Sequence, residues 1–332
     1  MPDHAAYARP WKSFADQLEL LKARGLHVHD EPHALAWLQR VGYYRLSAYW
    51  YPFRVFRLEQ DASGAIRSVR TDDFMPETAF ADAIDLYLFD RKLRGLLIDA
   101  LERIEVSLRV EVAYRLGKID TFAHLHEQSL HPKFRDRRDP RSGMTAFAGW
   151  QQKFHGLVQR SKEDFVKHYR EKHGPDMPIW VAIEVWDFGA VSQLLAMMKV
   201  PDQQAIAARY GVADWKVFAS WVRSLSYLRN LVAHHSRVWN RNMVNYPAPP
   251  SDAWPAWSKA FEGKRELLTK PFIQLAVVRH LVDVICPGSR WPERVAAHLA
   301  GFPRQSSKRQ LSISDMGVPD GWEQWWLPED RQ

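Results

Sequence analysis

The feature of this sequence that most constrains its fold is a nearly uninterrupted helical pattern from Thr78 to Leu116. Apolar residues recur along it at intervals of three and four, which places them on one face of a helix. They are Leu97, Leu101, Ile104, Leu108 and Val112. At 1.5 Å per residue, this stretch would form a helix about 58 Å long, more than a small globular domain requires. We therefore predict the central helix of a bundle, ended by Gly117.

Similar periodicity elsewhere predicts an all-α, mostly helical fold. The other predicted helices are Ser13–Arg24, Pro32–Arg40, Phe147–Glu171, Ile179–Trp186, Ala190–Met198, Pro201–Tyr210, Asp214–His235, Lys270–Cys286 and Arg290–Ala300. The segment Arg54–Arg70, with Gly64 near its tip, predicts a β-hairpin.

The clearest linker is the proline-rich segment Tyr246–Pro250. A chain of 332 residues fits one large or two modest domains. We expect a small helical and aromatic module over residues 1–72, a helical domain over 73–245 and a C-terminal helical extension over 246–332.

The composition favours a polyanionic partner and a reducing compartment. There are 46 Lys and Arg residues against 39 Asp and Glu, which gives a net charge of +7. This bias is mild, so it suits a nucleic acid without proving one. The single cysteine, Cys286, excludes an internal disulfide framework and a cysteine-rich zinc site. Met1–Pro10 has no apolar run, so we expect no signal peptide, no membrane partner and a cytoplasmic protein.

The segment most suggestive of chemistry ends the predicted helix Asp214–His235. On a helical wheel, Leu225, Leu228 and Val232 share an apolar face, whereas Asn230 and His234 lie on the polar half with Arg237. The same wheel places His235 on the side of the helix that faces the core. His234 is therefore the better candidate for chemistry, and His235 is expected to be a core residue.

Arginine and histidine together can cleave RNA, whose 2'-hydroxyl is an internal nucleophile. Imidazole can act as acid or base near neutral pH, and a guanidinium can hold a phosphate. The spacing of Arg229 and His234 alone is weak evidence, because Arg24 and His29 share it. Two basic residues can also simply stabilise the end of a helix. In favour of chemistry, Arg229 lies on an uninterrupted apolar helix and is followed by Asn230.

Several motifs occur in an order that resembles a known family. They are Pro10-Trp11, Gly42-Tyr43-Tyr44-Arg45-Leu46, Glu102-Arg103-Ile104-Glu105 with Arg109, Pro178-Ile179-Trp180 with Glu184, and Arg229-Asn230-x-x-x-His234. The last resembles the R-N-x-x-x-H motif of HEPN ribonucleases. From about Trp11 to about Asn245, the chain resembles the Abi family of bacterial abortive-infection proteins, the Abi-2 or AbiD/AbiF-like group.

This resemblance implies a HEPN-like helical bundle and a toxin-like, metal-independent endoribonuclease active in antiviral defence. Arg229 would bind the scissile phosphate, His234 would act as acid or base, and Asn230 would position one of them. Glu105 and Arg109 would orient this motif, although a surface salt bridge between them is the general alternative. The resemblance also implies a homodimer that joins two motifs in one cleft, and RNA as substrate and as a possible noncoding regulator.

Other basic and aromatic residues are candidates for RNA binding. Tyr44 and Arg45 could stack on unpaired bases, although most rings in this aromatic segment are expected in the core. Arg237 follows the motif on its polar side. The loop Lys118–Gly143 is equally consistent with an RNA contact and with a solvated insertion. Its basic residues near Pro140 are Lys133, Arg135, Arg137, Arg138 and Arg141.

We predict no metal and no cofactor. His27-Val28-His29 and His124-Leu125-His126 have a spacing that could bind a metal, but no carboxylate motif accompanies them. Metal-dependent phosphotransfer is disfavoured for the same reason. The main alternative to an enzyme is a non-catalytic RNA-binding or toxin-neutralising HEPN-type module.

Overall fold

The structure is a computed structural model that describes residues 10–60 and 64–327. The prediction for Met1–Pro10 therefore falls almost entirely outside the described residues. Over the described ranges the chain is mostly helical, which confirms the predicted fold class. None of the helices in these ranges is both long enough and apolar enough to cross a membrane.

Most of the described chain is helical. The α-helices are α1 (Phe14–Ala23), α2 (Glu31–Val41), α3 (Tyr43–Trp50), α4 (Phe80–Ile119), α5 (Lys133–Asp136), α6 (Ala146–Arg160), α7 (Asp164–His173), α8 (Ile179–Ala182), α9 (Phe188–Met197), α10 (Val200–Arg209), α11 (Trp215–Ala233), α12 (Arg265–Leu268), α13 (Pro271–Ile285), α14 (Trp291–Ala300) and α15 (Glu323–Trp326). Strands β1 (Arg54–Gln60) and β2 (Ile66–Phe74) form an antiparallel pair, as the hairpin prediction required.

The chain divides into two compact units. One contains the described residues up to Lys92 together with Gly301–Ser312, and the other contains Leu93–Ala300 with the described residues from Ile313 onward. The predicted boundaries at residues 72 and 245 do not coincide with this division. The boundary between Lys92 and Leu93 lies inside α4, which continues across it without a break.

Helix α4 has 40 residues and begins and ends within three residues of its predicted bounds. Leu97, Leu101 and Leu108 are fully buried, as expected for its apolar face. Gly117 does not end the helix. A Cβ atom at this position would lie 3.3 Å from the Trp180 ring, so the glycine allows close packing within a continuing helix.

Helix α11 is the other central element of the second unit. Asp214 caps its start by accepting a hydrogen bond from the backbone N–H of Lys216, as predicted. Trp221 is buried against Trp254 and Trp257, at ring distances of 4.9 and 6.0 Å. The segment after residue 245 therefore completes the core around α11 instead of forming a separate core.

The predicted helix Phe147–Glu171 is wrong as a single element. It is divided into α6 and α7, and Ser161 between them has an extended backbone conformation. The Ser161 hydroxyl accepts a hydrogen bond from the backbone N–H of Glu163, a local interaction that competes with the helical pattern.

His124 occupies the aromatic core of the second unit. Its ring lies 5.3 Å from Phe154 and 5.6 Å from Trp186, and neither ring nitrogen has a hydrogen-bond partner among the described residues. Burial, assisted by the nearby His126, lowers the pKa of His124 from 6.5 to about 4.

His124→Leu should reduce the acid sensitivity of the fold. As the pH falls from 6.5 toward 4, the unfolded chain binds a proton at His124 that the folded chain excludes, so the native protein loses stability over this window. Over this pH window, the free energy of unfolding of the variant should fall by about 3 kcal/mol less than that of the unsubstituted protein. Urea unfolding at several pH values measures this difference. His168→Leu, at an exposed histidine, is the control, and equal acid sensitivity of His124→Leu and the unsubstituted protein would contradict the prediction.

Candidate active site

The Arg229 motif lies at the end of α11, whose apolar face fixes its orientation. Leu225, Leu228 and Val232 are buried, as the helical wheel predicts. Arg229 has 32% of its side chain exposed, and Asn230 is exposed. The motif is therefore anchored by its apolar residues while its polar side chains remain accessible.

The helix ends at Ala233, and the turn that follows determines the positions of both histidines. The N–H groups of His235 and Ser236 donate to the carbonyl oxygens of Val232 and Leu231, at 3.0 and 2.9 Å. This pair of hydrogen bonds is a Schellman motif, with His235 as the left-handed residue at φ 55°. His234 is the exposed C-cap residue.

The prediction that His235 belongs to the core is wrong. The helical wheel assumed that the helix continues through this residue, but the left-handed turn points His235 toward solvent, and its side chain is exposed. The chain becomes buried again at Val238 and Trp239.

A buried carboxylate connects the motif to the central helix. Glu105 of α4 is 5% exposed, and its Oε2 atom lies 3.3 Å from Nε of Arg229. Its other oxygen, Oε1, accepts a hydrogen bond of 2.7 Å from Arg109. The general alternative, a surface salt bridge between Glu105 and Arg109, does not describe this arrangement, because Glu105 is buried and contacts both guanidinium groups.

Arg109 is held in place by more than this carboxylate. The same guanidinium donates to the carbonyl oxygen of Trp186 at 2.7 Å and lies 4.0 Å from Glu184. Glu102, which shares the Glu105 motif in the sequence, is exposed. The interior polar contacts of this part of α4 thus involve Glu105 and Arg109 and not Glu102.

The geometry of Arg229 suits phosphate binding. Glu105 is the one carboxylate among the described residues within ion-pair distance of it, and it contacts Nε. The Arg229 side chain is one third exposed, and a guanidinium can form the paired hydrogen bonds that a phosphate accepts.

A broad groove extends along the face of α11 next to the one that carries Arg229. Its volume is about 730 Å³, and Asn230 contributes to its lining. The backbone carbonyl of Asn230 accepts the N–H of His234 at 3.0 Å, so the groove residue and the C-cap histidine are one helical turn apart.

The remaining predicted site residues belong to other segments of the chain. Arg237 is half-buried and follows the Schellman turn. Tyr44, 90% exposed, and Arg45, also exposed, belong to α3 in the first compact unit. Within residues 10–60 and 64–327, no group of three or more His, Cys, Asp or Glu side chains is arranged to hold a metal ion.

Two contributors to the site were missed by reasoning from the sequence. Arg94 of α4 is buried and donates to the carbonyl oxygen of Ser236, the last residue of the Schellman motif, at 3.4 Å. Arg223 lies in the groove with Asn230. Arg223 occupies the same arc of the helical wheel as Asn230, which is the signal that could have identified it. No comparable local signal connects Arg94 to residue 236.

Comparison with known proteins gives one family match. A family described as Abi-like protein matches residues 36–240, more than half of the chain. The match includes the Tyr44 segment, the Glu105 and Arg109 pair, and the Arg229 motif, and it ends before the C-terminal segment. No curated protein and no solved structure shows significant similarity to the chain.

The backbone at residue 235 generates a stability prediction. A left-handed conformation costs an L-residue with a Cβ atom about 1 kcal/mol more than glycine. His235→Gly should therefore be more stable than His235→Ala by about 1 kcal/mol, since both variants lack the imidazole and differ only in the Cβ atom. Urea unfolding of the two proteins measures the difference. A more stable alanine variant would show that residue 235 is helical in solution.

Proposed function

The chain belongs to the family of Abi-like proteins, whose membership suggests a role in abortive-infection defence, and we propose that it acts in this defence as a metal-independent RNA endonuclease. The observation that carries this proposal is the pairing of Arg229 with the buried Glu105 at one end of α11, where His234 is exposed as the C-cap residue. The family match supports the context of defence, and the chemistry of these side chains supports the reaction.

In the proposed reaction, Arg229 holds the scissile phosphate and offsets the charge that develops on it. A neutral imidazole removes the proton from the 2'-hydroxyl, whose oxygen then bonds to phosphorus. The bond from phosphorus to the 5'-oxygen breaks, and this oxygen takes a proton from an acid. The products are a 2',3'-cyclic phosphate and a 5'-hydroxyl.

Glu105 and Arg109 are positioning residues in this proposal. Because Glu105 contacts Nε of Arg229, it favours one orientation of the guanidinium and leaves its terminal nitrogens for the phosphate. Arg109 supplies a second positive charge to the same carboxylate. Asn230 is proposed to position the phosphate or the imidazole.

The reaction needs both a base and an acid, and the motif supplies one histidine. We propose that a second copy of the chain supplies the other in a symmetric homodimer. An exposed apolar surface beside the ion pair supports this arrangement. Val106, Val110 and Tyr114 of α4 are 50, 58 and 71% exposed, and Val110 and Tyr114 line a groove together with Arg109.

Purified protein should cleave RNA and not DNA in the presence of EDTA. His234→Ala should lower the rate of RNA cleavage by about 10²- to 10⁴-fold, the usual contribution of a general acid or base. Cleavage of mixed RNAs, with chemical analysis of the product ends, tests both expectations. His173→Ala, at an exposed histidine that ends α7, is the matched control. Cleavage that requires added magnesium would contradict the mechanism, and RNA binding without any cleavage would favour the non-catalytic module.

Subunit mixing tests the dimer. With equal amounts of unsubstituted and Arg229→Ala/His234→Ala subunits, random pairing places half of the active subunits in mixed dimers. Activity should therefore fall to about half of that measured for the same amount of unsubstituted protein alone. Exchange between the subunits can be verified with differently labelled chains. A fully active monomer in light scattering, or unchanged activity after exchange, would contradict the proposal.

A further inference from the structure

The groove along α11 has features that the motif does not explain. Its α11 wall includes Trp215, Lys216, Arg223, Tyr227 and Asn230. These residues recur at helical spacing along one face. From Trp215 to Asn230 the face is about 22 Å long at 1.5 Å per residue, which is enough for several nucleotides.

The groove is strongly basic. Lys133, Lys153, Lys216 and Arg223 line it, and none of the described residues in its lining carries a carboxylate. Lys216, Arg223 and Lys133 are exposed. Lys216 and Arg223 belong to α11, and Lys133 begins α5, within the segment Lys118–Gly143 that the sequence suggested as an RNA contact. A phosphate backbone is the ligand that such a row of cations attracts most generally.

Lys153 of α6 lines the groove on the side that α11 does not form, and an ion pair holds its ammonium group in place. Its Nζ atom lies 3.0 Å from Asp187, whose carboxylate also caps the start of α9. A Cβ atom at Gly189 would lie 3.1 Å from the Lys153 Nζ atom, so the glycine provides space for the ammonium group.

Aromatic rings lie among the cations. Lys216 is 5.8 Å from the centre of the Trp215 ring, and Lys133 is 5.9 Å from that of Phe134. These rings, like that of Tyr227, are partly exposed and line the groove. Partly exposed rings beside cations can stack on unpaired bases, whereas the bases of a duplex are already stacked on one another.

We propose that this groove binds single-stranded RNA and leads it along α11 to the Arg229 motif. The assignment deepens the proposed nuclease function and rests on it, because Asn230 joins the groove to the motif. Lys216, Arg223 and Lys153 contact the phosphates, and Trp215 and Tyr227 stack on the bases. The sequence of the RNA matters little, since phosphates and ring faces are common to all nucleotides.

The test measures binding separately from cleavage. The full chain carrying His234→Ala is titrated with a fluorescent, unstructured oligouridine at several salt concentrations, and anisotropy gives the affinity. Adding Lys216→Gln and Arg223→Gln should weaken binding and lower the salt slope by about 1.4, since each phosphate contact on a single strand contributes about 0.7. The matched control, Lys162→Gln with Lys172→Gln, removes two exposed charges outside the groove and should change neither quantity.

Stacking is tested at Trp215. Trp215→Ala should weaken binding about tenfold, whereas Trp215→Phe, which retains a ring, should keep most of the affinity. A duplex of the same length should bind less tightly than the single strand, and polyglutamate should compete poorly because it has charge without bases.

The outcomes separate the groove from the nuclease function. If the groove variants and the control bind oligouridine equally, the groove assignment is wrong, even if the protein cleaves RNA. If the unsubstituted protein binds RNA through the groove and never cleaves it, the nuclease function fails and the binding assignment stands. Equal binding of the duplex would overturn the preference for single strands, and equal competition by polyglutamate would point to an acidic protein instead.

Discussion

The candidate site depends on one buried carboxylate. Removing Glu105 from water would be unfavourable without compensating positive charge, and Arg109 and Arg229 supply that charge from two different helices. Loss of either arginine would leave the carboxylate less well compensated. The ion pair therefore links α4 to α11 at the point where α11 presents the motif, and it restricts the guanidinium that the proposed chemistry uses.

Apolar periodicity explains why much of the fold could be predicted. Leu97, Leu101 and Leu108 mark α4, and Leu225 with Leu228 marks α11, because burial of one face determines each helix. Periodicity is less informative about where a helix ends. A helical wheel places residue 235 in the core because it continues the helix past Ala233, where backbone hydrogen bonds in fact form a left-handed turn.

The sequence predicts which residues of the candidate site could carry chemistry, but it does not predict most of the residues that surround them. Arg229 and His234 stand out by chemistry and by resemblance to a family, and the pairing of Glu105 with the motif followed from the resemblance alone. The basic groove combines α11 with residues from α5, α6, α9 and α10. Residues so far apart in the chain become neighbours only through tertiary packing, which helical spacing does not reveal.

The ion pair of Lys153 affects how tightly the groove could hold a phosphate. Its ammonium group already has an anionic partner in Asp187, which stays anchored at the start of α9 through the N–H of Ala190. A phosphate that reaches this lysine would compete with a resident carboxylate, so part of the new attraction would be offset by the interaction that is lost. Such an exchange of partners allows recognition without very tight retention. It would let a strand move along the groove and leave after cleavage while the protein returns to its original charge arrangement.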